Sequence, residues 1–364
     1  MMAEHERNFR THFYEKVGFR TVEEKKSIEI LLKEQPIKKE KLIQFSLRFG
    51  VPAMYRTYVW KILLGILPVN QNCQDFVWNH RTEQVKELQR VAILLAPESL
   101  DGPQEHKILR MKMISEGNLP LQNKFVDQDL SHQYFLSIIQ AVSSLVSSEV
   151  DLFWISTRFY RYICESVYGS LLHFPEYTMQ CLKKEEQGQK LYTHLCQHHV
   201  IKELSLMDWF HTCFANVLPD TSLERIWDRI LGGSSHILIY VAVAIFLVLR
   251  RPLLAMQSTD DMVSYLKQIP EDCGDRIVNE AIELMHKNAG QIPSKPDSPA
   301  SESGRNSAKS LSHSRHNSIS LKASRRGSFD GPVSSDKLIR SLTDNKSVTI
   351  EIVRKSPGAN DKPG

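Results

Sequence analysis

Cys196, His198 and His199 place three metal-capable side chains within four residues. A structural zinc site draws four ligands at recognised spacings, commonly as two pairs. The other cysteines, at 73, 164, 181, 213 and 273, form no Cys-x-x-Cys pair and supply no distant partner. Ordinary packing or surface histidines are the expected reading, and no metal or cofactor is expected. Six cysteines in 364 residues do not make a disulfide scaffold and suit reduced thiols in a cytosolic protein. Asp260 and Asp261 are paired carboxylates beside Ser258 and Thr259. They read as first-turn charges favoured by a helix macrodipole. Neither Gly-x-x-x-x-Gly-Lys nor Gly-x-Gly-x-x-Gly occurs, which excludes a P-loop enzyme and a dinucleotide binder. No Gly-x-Ser-x-Gly elbow or His-Glu-x-x-His helix is present either.

Charge narrows the partners. The formal net charge is +4, but it is unevenly spread. The 71 residues from Ser294 carry 13 Lys+Arg against 7 Asp+Glu, while the preceding 293 carry 33 against 35. The basic stripe of a folded nucleic-acid-binding surface is therefore not expected. Met1 to Arg10 is polar and does not read as a secretory signal. The longest apolar run, Ile237 to Leu249, is too short for a bilayer, which needs about 20 residues. It is expected to be a buried core helix.

The elements that must position any site read as helices. Thr21 with Glu24, and Thr221 with Glu224, fit capping boxes. Ser131 is placed to cap a helix whose stripe runs Tyr134, Phe135, Ile138, Ile139, Val142, Leu145 and Val146. Leu152, Phe153, Phe159, Tyr162 and Ile163 predict another. Leu223, Ile226, Trp227 and Ile230 follow the Thr221 box, and Gly232-Gly233 closes that helix. Ile277, Val278, Ala281, Leu284 and Met285 form a last stripe, stopped by Gly290 and Pro293. Prolines fall between these segments. The fold class is all-α. After Gly290 the composition changes: 17 of the 71 residues from Ser294 are serine, with one aromatic, Phe329. Such a segment reads as a disordered tail, although Val348, Ile350 and Ile352 alternate like a strand. The expected organisation is an N-terminal helical segment (1–45), a helical domain (46–290) and a Ser-rich basic tail (291–364).

Three stretches resemble the TBC (Tre-2/Bub2/Cdc16) domain family of Rab GTPase-activating proteins. The first is Gly50-Val51-Pro52 with Arg56, Trp60 and Leu63-Leu64-Gly65. The second is Trp209-Phe210, Phe214, Val217-Leu218-Pro219 and Arg225-Ile226-Trp227-Asp228. The third is the apolar helix Val241 to Ile245. Asp151 to Trp154 resembles a further family step. The resemblance spans roughly residues 45–290 and implies an all-helical multi-helix domain. Arg56, Trp60, Trp209, Trp227 and Asp228 take framework positions in it. Arg56 is expected to pack its stem and pair its head rather than to act in catalysis.

The family's catalysis uses an arginine in Ile-x-x-Asp-x-x-Arg and a glutamine in Tyr-x-Gln. An arginine finger is worth about 10³–10⁵ in rate, or roughly 4–7 kcal/mol of barrier. Anchored on Pro120, the arginine motif falls on Met111, Ile114 and Gly117, so Ile114 takes the acidic position and Gly117 the arginine position. Counted back from Phe153-Trp154, the glutamine motif falls on Tyr134-Phe135-Leu136. Gln133 and Gln140 are the nearest alternatives to Leu136, and Arg110 and Lys112 are the nearest candidates for a displaced finger. A degenerate, non-catalytic domain is the expectation; the alternative is an active Rab GTPase-activating protein using a displaced arginine.

Arg7 to Arg10, Tyr14 to Arg20, Val22 to Ser27 and Trp60 to Pro68 resemble one branch of the family, the small third subunit of the tuberous sclerosis complex. That resemblance implies a non-catalytic adaptor that binds the hamartin coiled coil and, indirectly, tuberin. The complex activates GTP hydrolysis by Rheb and restrains mTOR signalling. It also implies a cytoplasmic protein brought to lysosomal surfaces and vesicles by the complex, without integral membrane association. The tail is a departure. There Arg315-His316-Asn317-Ser318 and Arg325-Arg326-Gly327-Ser328 resemble basophilic kinase sites, making Ser318 and Ser328 candidate phosphorylation sites.

Overall fold

The computed structural model describes residues 22–95, 102–118 and 129–288. Thr21, Pro120, Gly290, Pro293 and the Ser-rich segment with Ser318 and Ser328 lie outside the described residues. Every regular element among the described residues is helical.

Helices α1 (Val22–Lys33) and α2 (Lys39–Arg48) precede α3 (Ala53–Leu63), which opens on Pro52. A 3-10 turn at Gln71–Cys73 leads into the 22-residue α4 (Gln74–Leu95), and α5 (Gln104–Ser115) packs back on it. Helices α6 (Leu130–Ser143) and α7 (Glu149–Ser166) pack on each other. Shorter pieces follow: α8 (Tyr168–Leu171), α9 (Phe174–Lys184), α10 (Gln189–Gln197), α11 (Val200–Glu203) and α12 (Leu206–His211). The last group is α13 (Asp220–Leu231), α14 (Ile237–Val248), α15 (Arg250–Ala255), α16 (Thr259–Lys267) and α17 (Gly274–Lys287).

The core is built on α14. Every residue from Ile237 to Phe246 is buried, and the helix is clasped by α17 and α9. A helix that is apolar all round has no solvent face and must be enclosed. Each fully buried Val, Leu, Ile or Phe contributes about 1.5–3 kcal/mol, so α14 anchors the fold. The last stripe behaves as expected: Ile277, Val278, Ala281 and Leu284 are buried on α17.

Some local signals resolve differently. Asp129, not Ser131, caps α6: its carboxylate accepts from the Ser131 N–H at 2.8 Å. The Thr221–Glu224 box does not form. Helix α13 starts two residues earlier than that box implies, at Asp220 after Pro219, and has no side-chain cap. Two prolines sit inside helices, Pro175 in α9 and Pro252 in α15. Both lie in the first turn, where the missing N–H has no intrahelical partner to lose. Ser258 caps α16 through the Asp261 N–H, and Asp260 and Asp261 occupy its first turn, as the macrodipole reading expects. Gly233 closes α13 with φ +95°.

Candidate functional site

Asp228 is fully buried, and three groups from a stretch more than 160 residues earlier in the chain converge on it. Trp60 donates through Nε1 at 2.7 Å, and the Val51 N–H donates at 2.8 Å. Arg56 Nε lies 3.3 Å from Oδ1. The Arg56 guanidinium also pairs closely with Glu224 and donates to the Val51 carbonyl at 2.6 Å. Burial pushes the Glu224 carboxyl above its usual range, against the opposing pull of Arg56. Gly50 has φ +78°, and that left-handed turn aims the next N–H at Asp228. The Arg-x-x-x-Trp spacing puts both side chains on one face of α3. The knot therefore ties the loop before α3, α3 itself and α13 together.

Aromatic rings extend it. Trp227 stacks on Phe159 at 4.3 Å and donates through Nε1 to the Cys213 carbonyl at 3.0 Å. Cys213, Phe214 and Asn216 all have positive φ, between 50° and 65°. Such backbone persists only where the surroundings over-determine it. Trp209 packs against Phe214 and Phe246. Asp151 pairs with Lys61 at 3.0 Å, and Trp154 Nε1 donates to the Arg81 carbonyl at 3.1 Å. Arg56, Trp60, Trp209, Trp227 and Asp228 are all buried inside the helical array.

Gly117 stands just beyond α5 with φ +80°. Its N–H donates to Ile114 at 3.0 Å and the Asn118 N–H to Met113 at 2.9 Å, a left-handed helix closure that favours glycine. Ile114 packs partly buried against the core, as does Leu136 on α6. Gln133 and Gln140 lie on the exposed side of α6. Lys112 bridges to Glu116 at 2.6 Å, with its ammonium 5.4 Å from the Phe135 ring. Arg110 is half-buried.

Beside α6 lies a cavity of about 340 Å³ lined by Asp129, Tyr134, Tyr160, Cys164, Tyr168 and His211 among others. Tyr134 donates to Asp208 at 2.7 Å and stacks on His211 at 4.7 Å. Burial and the Asp208 bond push the Tyr134 hydroxyl up to about 12. Burial holds the His211 imidazole below its usual range, against Asp208. Sequence reading gave Asp208, His211 and Tyr168 no role, because their meeting with α6 is tertiary.

The metal-capable triplet is dispersed into local jobs. Cys196 is exposed, His198 packs on His194 at 4.5 Å, and His199 precedes α11 with φ 54°. Among the described residues no three His, Cys, Asp or Glu side chains gather as a metal would require.

A further feature has no sequence signal of its own. Helix α4 buries only Val85 and Ala92 completely. Phe76, Val91, Ile93, Leu94 and Leu95 are exposed, Leu94 at 79%. Val91, Leu94 and Leu95 fall at i, i+3 and i+4, on one face.

Residues 128–254 match the family model for the Rab-GTPase-TBC domain. TBC1 domain family member 7 of Homo sapiens is 40% identical over 290 residues, covering 80% of this chain and 98% of that protein. The chain belongs to the TBC domain family. The protein of the same name from Danio rerio is 37% identical over the same shares. A crystal structure of the Chlamydomonas flagellar RabGAP TBC domain shares 16% identity. It covers 79% of this chain and 96% of that one at a TM-score of 0.51, a likeness of fold alone. In this TBC protein the Asp228 knot joins the loop before α3, and α3 itself, to α13. No helix among the described residues is long and apolar enough to cross a membrane.

Proposed function

We propose that this TBC protein is a non-catalytic adaptor subunit that binds the hamartin coiled coil. Through it, the protein supports tuberin's activation of GTP hydrolysis by Rheb and the restraint of mTOR signalling at lysosomal and vesicle surfaces. The observation that carries the reading is the apolar face of α4. Val91, Leu94 and Leu95 present the i, i+3, i+4 spacing by which helices dock on one another. Exposed apolar clusters of this kind mark interaction surfaces.

The catalytic half of the reading rests on positions 117 and 136. Glycine brings no charge to a transferring phosphate, and leucine cannot orient water. The Gly117 turn also supplies a local reason for glycine there. Lys112, the nearest lysine to the arginine position, is held by Glu116 and two rings. The test is single-turnover GTP hydrolysis by a panel of Rab proteins with and without the full chain. No acceleration is expected. Acceleration approaching the 10³-fold that marks the low end of an arginine finger's worth would establish the alternative, a Rab GTPase-activating protein with a displaced arginine. Restoring both groups, as Gly117→Arg with Leu136→Gln, is expected to raise the rate from that baseline.

A further inference from the structure

Helices α4 and α7 and the end of α5 enclose a cleft of about 310 Å³ lined by Gln84, Leu88, Glu116, Trp154, Arg158 and Arg161, among others. Two guanidiniums face the Trp154 ring, Arg81 at 4.2 Å and Arg158 at 5.7 Å from its centroid. Arg161 extends the group on the next turn of α7. Burial and the neighbouring Arg81 and Arg161 charges hold the Arg158 guanidinium below its usual range, as burial does for Arg81. Two buried polar atoms here have no hydrogen-bond partner among the described residues, Arg81 Nε and Thr157 Oγ1.

Like charges gathered against one ring repel, and the gathering needs an anion to balance it. Within the chain the balance is incomplete. Glu165 reaches Arg161 only at 3.8 Å and is itself mostly exposed. Glu116 is taken by Lys112. Arg158 and Arg161 line the cleft and Arg81 stands behind them on the Trp154 ring; against Glu165, the three guanidiniums leave the cluster about two charges positive. A phosphomonoester, at roughly −1.5 to −2 near neutral pH, matches that balance, whereas one carboxylate leaves a positive charge over. Guanidinium forks suit phosphate oxygens, and the Thr157 hydroxyl can donate a further bond. The surrounding surface argues for a single phosphate. The first 293 residues carry 33 basic against 35 acidic groups, which disfavours a polyanion or an anionic membrane. Leu88 and Trp154 give the cleft an apolar wall for a residue beside the phosphate.

We propose that this cleft binds a phosphorylated serine or threonine side chain on a partner peptide segment. The cleft adjoins the α4 face above, since Gln84 and Leu88 lie on the same helix, but its phosphate-binding groups belong to Arg158 and Arg161 on α7 and the proposal does not depend on the hamartin reading.

The test incubates the full-length protein with a synthetic degenerate phosphoserine peptide library and with the same library unphosphorylated. Calorimetry follows on an enriched sequence, with inorganic phosphate and phosphatidylcholine vesicles carrying phosphatidylinositol phosphate as separate arms. Phosphopeptides are expected to bind at least about tenfold more tightly than their unphosphorylated forms, since charge-assisted bonds dominate. Arg158→Gln is expected to remove at least about tenfold of that affinity, and Arg158→Lys less, because it keeps the charge and loses the fork. Arg161→Gln, at a half-exposed side chain, guards against a folding artefact and is expected to weaken binding several-fold. The proposal is overturned by equal retention of both libraries or by phosphopeptide binding that all three variants leave unchanged. Binding confined to inorganic phosphate or to the vesicles also overturns it.

Discussion

Asp228 shows how a residue legible in sequence acquires its meaning only in the fold. Arg56, Trp60 and Asp228 stand out as motif members, yet more than 160 residues separate the first two from the third. Glu224 reads locally as the second half of a capping box. In the fold it faces Arg56, because a buried guanidinium needs a partner more than a helix start needs a cap. Asp228→Asn leaves Arg56 short of charge in a buried setting. It is expected to cost about 3–5 kcal/mol in urea unfolding, as broken buried pairs do; a loss below about 1 kcal/mol would put the pair in the class of surface bridges. His211 carries a second prediction. Its folded-state pKa lies below the unfolded value, so its contribution is present above about pH 6.5. That contribution is lost as pH falls towards the folded pKa, because the unfolded chain takes up the proton first. Melting temperature should fall less for His211→Gln than for wild type between about pH 7.5 and about pH 5.5. Equal falls would remove His211 from the acid response.

Elements were easier to foresee than their edges. The stripes of α6, α7, α13 and α17 are visible at helical period because each turns its apolar residues to the core, although residues 226–231 of α13 are buried all round. The α6 cap was missed by two residues, since Asp129 and Ser131 are both good caps and only the chain's path chooses. Position 117 reads as a vacancy in a motif; in the fold it is also a left-handed closure of α5. Gly117→Ala is expected to cost about 1 kcal/mol by thermal or denaturant unfolding, from the positive φ alone; no cost would mean the turn relaxes. The outward face of α4 was not legible at all, because its apolar residues look like core in any helical pattern. Leu94→Asp should weaken hamartin binding at least about tenfold, the loss of one well-placed anchor, while leaving the melting temperature unchanged. Unchanged affinity would exclude this face as the contact.

For the molecule as a whole, the all-α class followed from apolar stripes at helical period, and the α14 core helix from the length of its apolar run. A thirteen-residue apolar run is too short to cross a bilayer and reads as core. The family followed from the spaced motifs, and the human and zebrafish relatives carry it across most of the chain. The partner surface did not follow, because exposure is a property of packing and not of residue type. The Ser-rich segment with Ser318 and Ser328 lies outside the described residues, and its role as a phosphorylated regulator stays a proposal that phosphopeptide mapping tests. The central proposal is that this TBC domain works by holding a coiled coil and not by supplying catalytic groups to a GTPase. Calorimetry of the full-length protein with a hamartin coiled-coil fragment tests it most directly. A dissociation constant below about 1 μM, or roughly −8 kcal/mol, is expected; no detectable heat of binding at any workable concentration would contradict it.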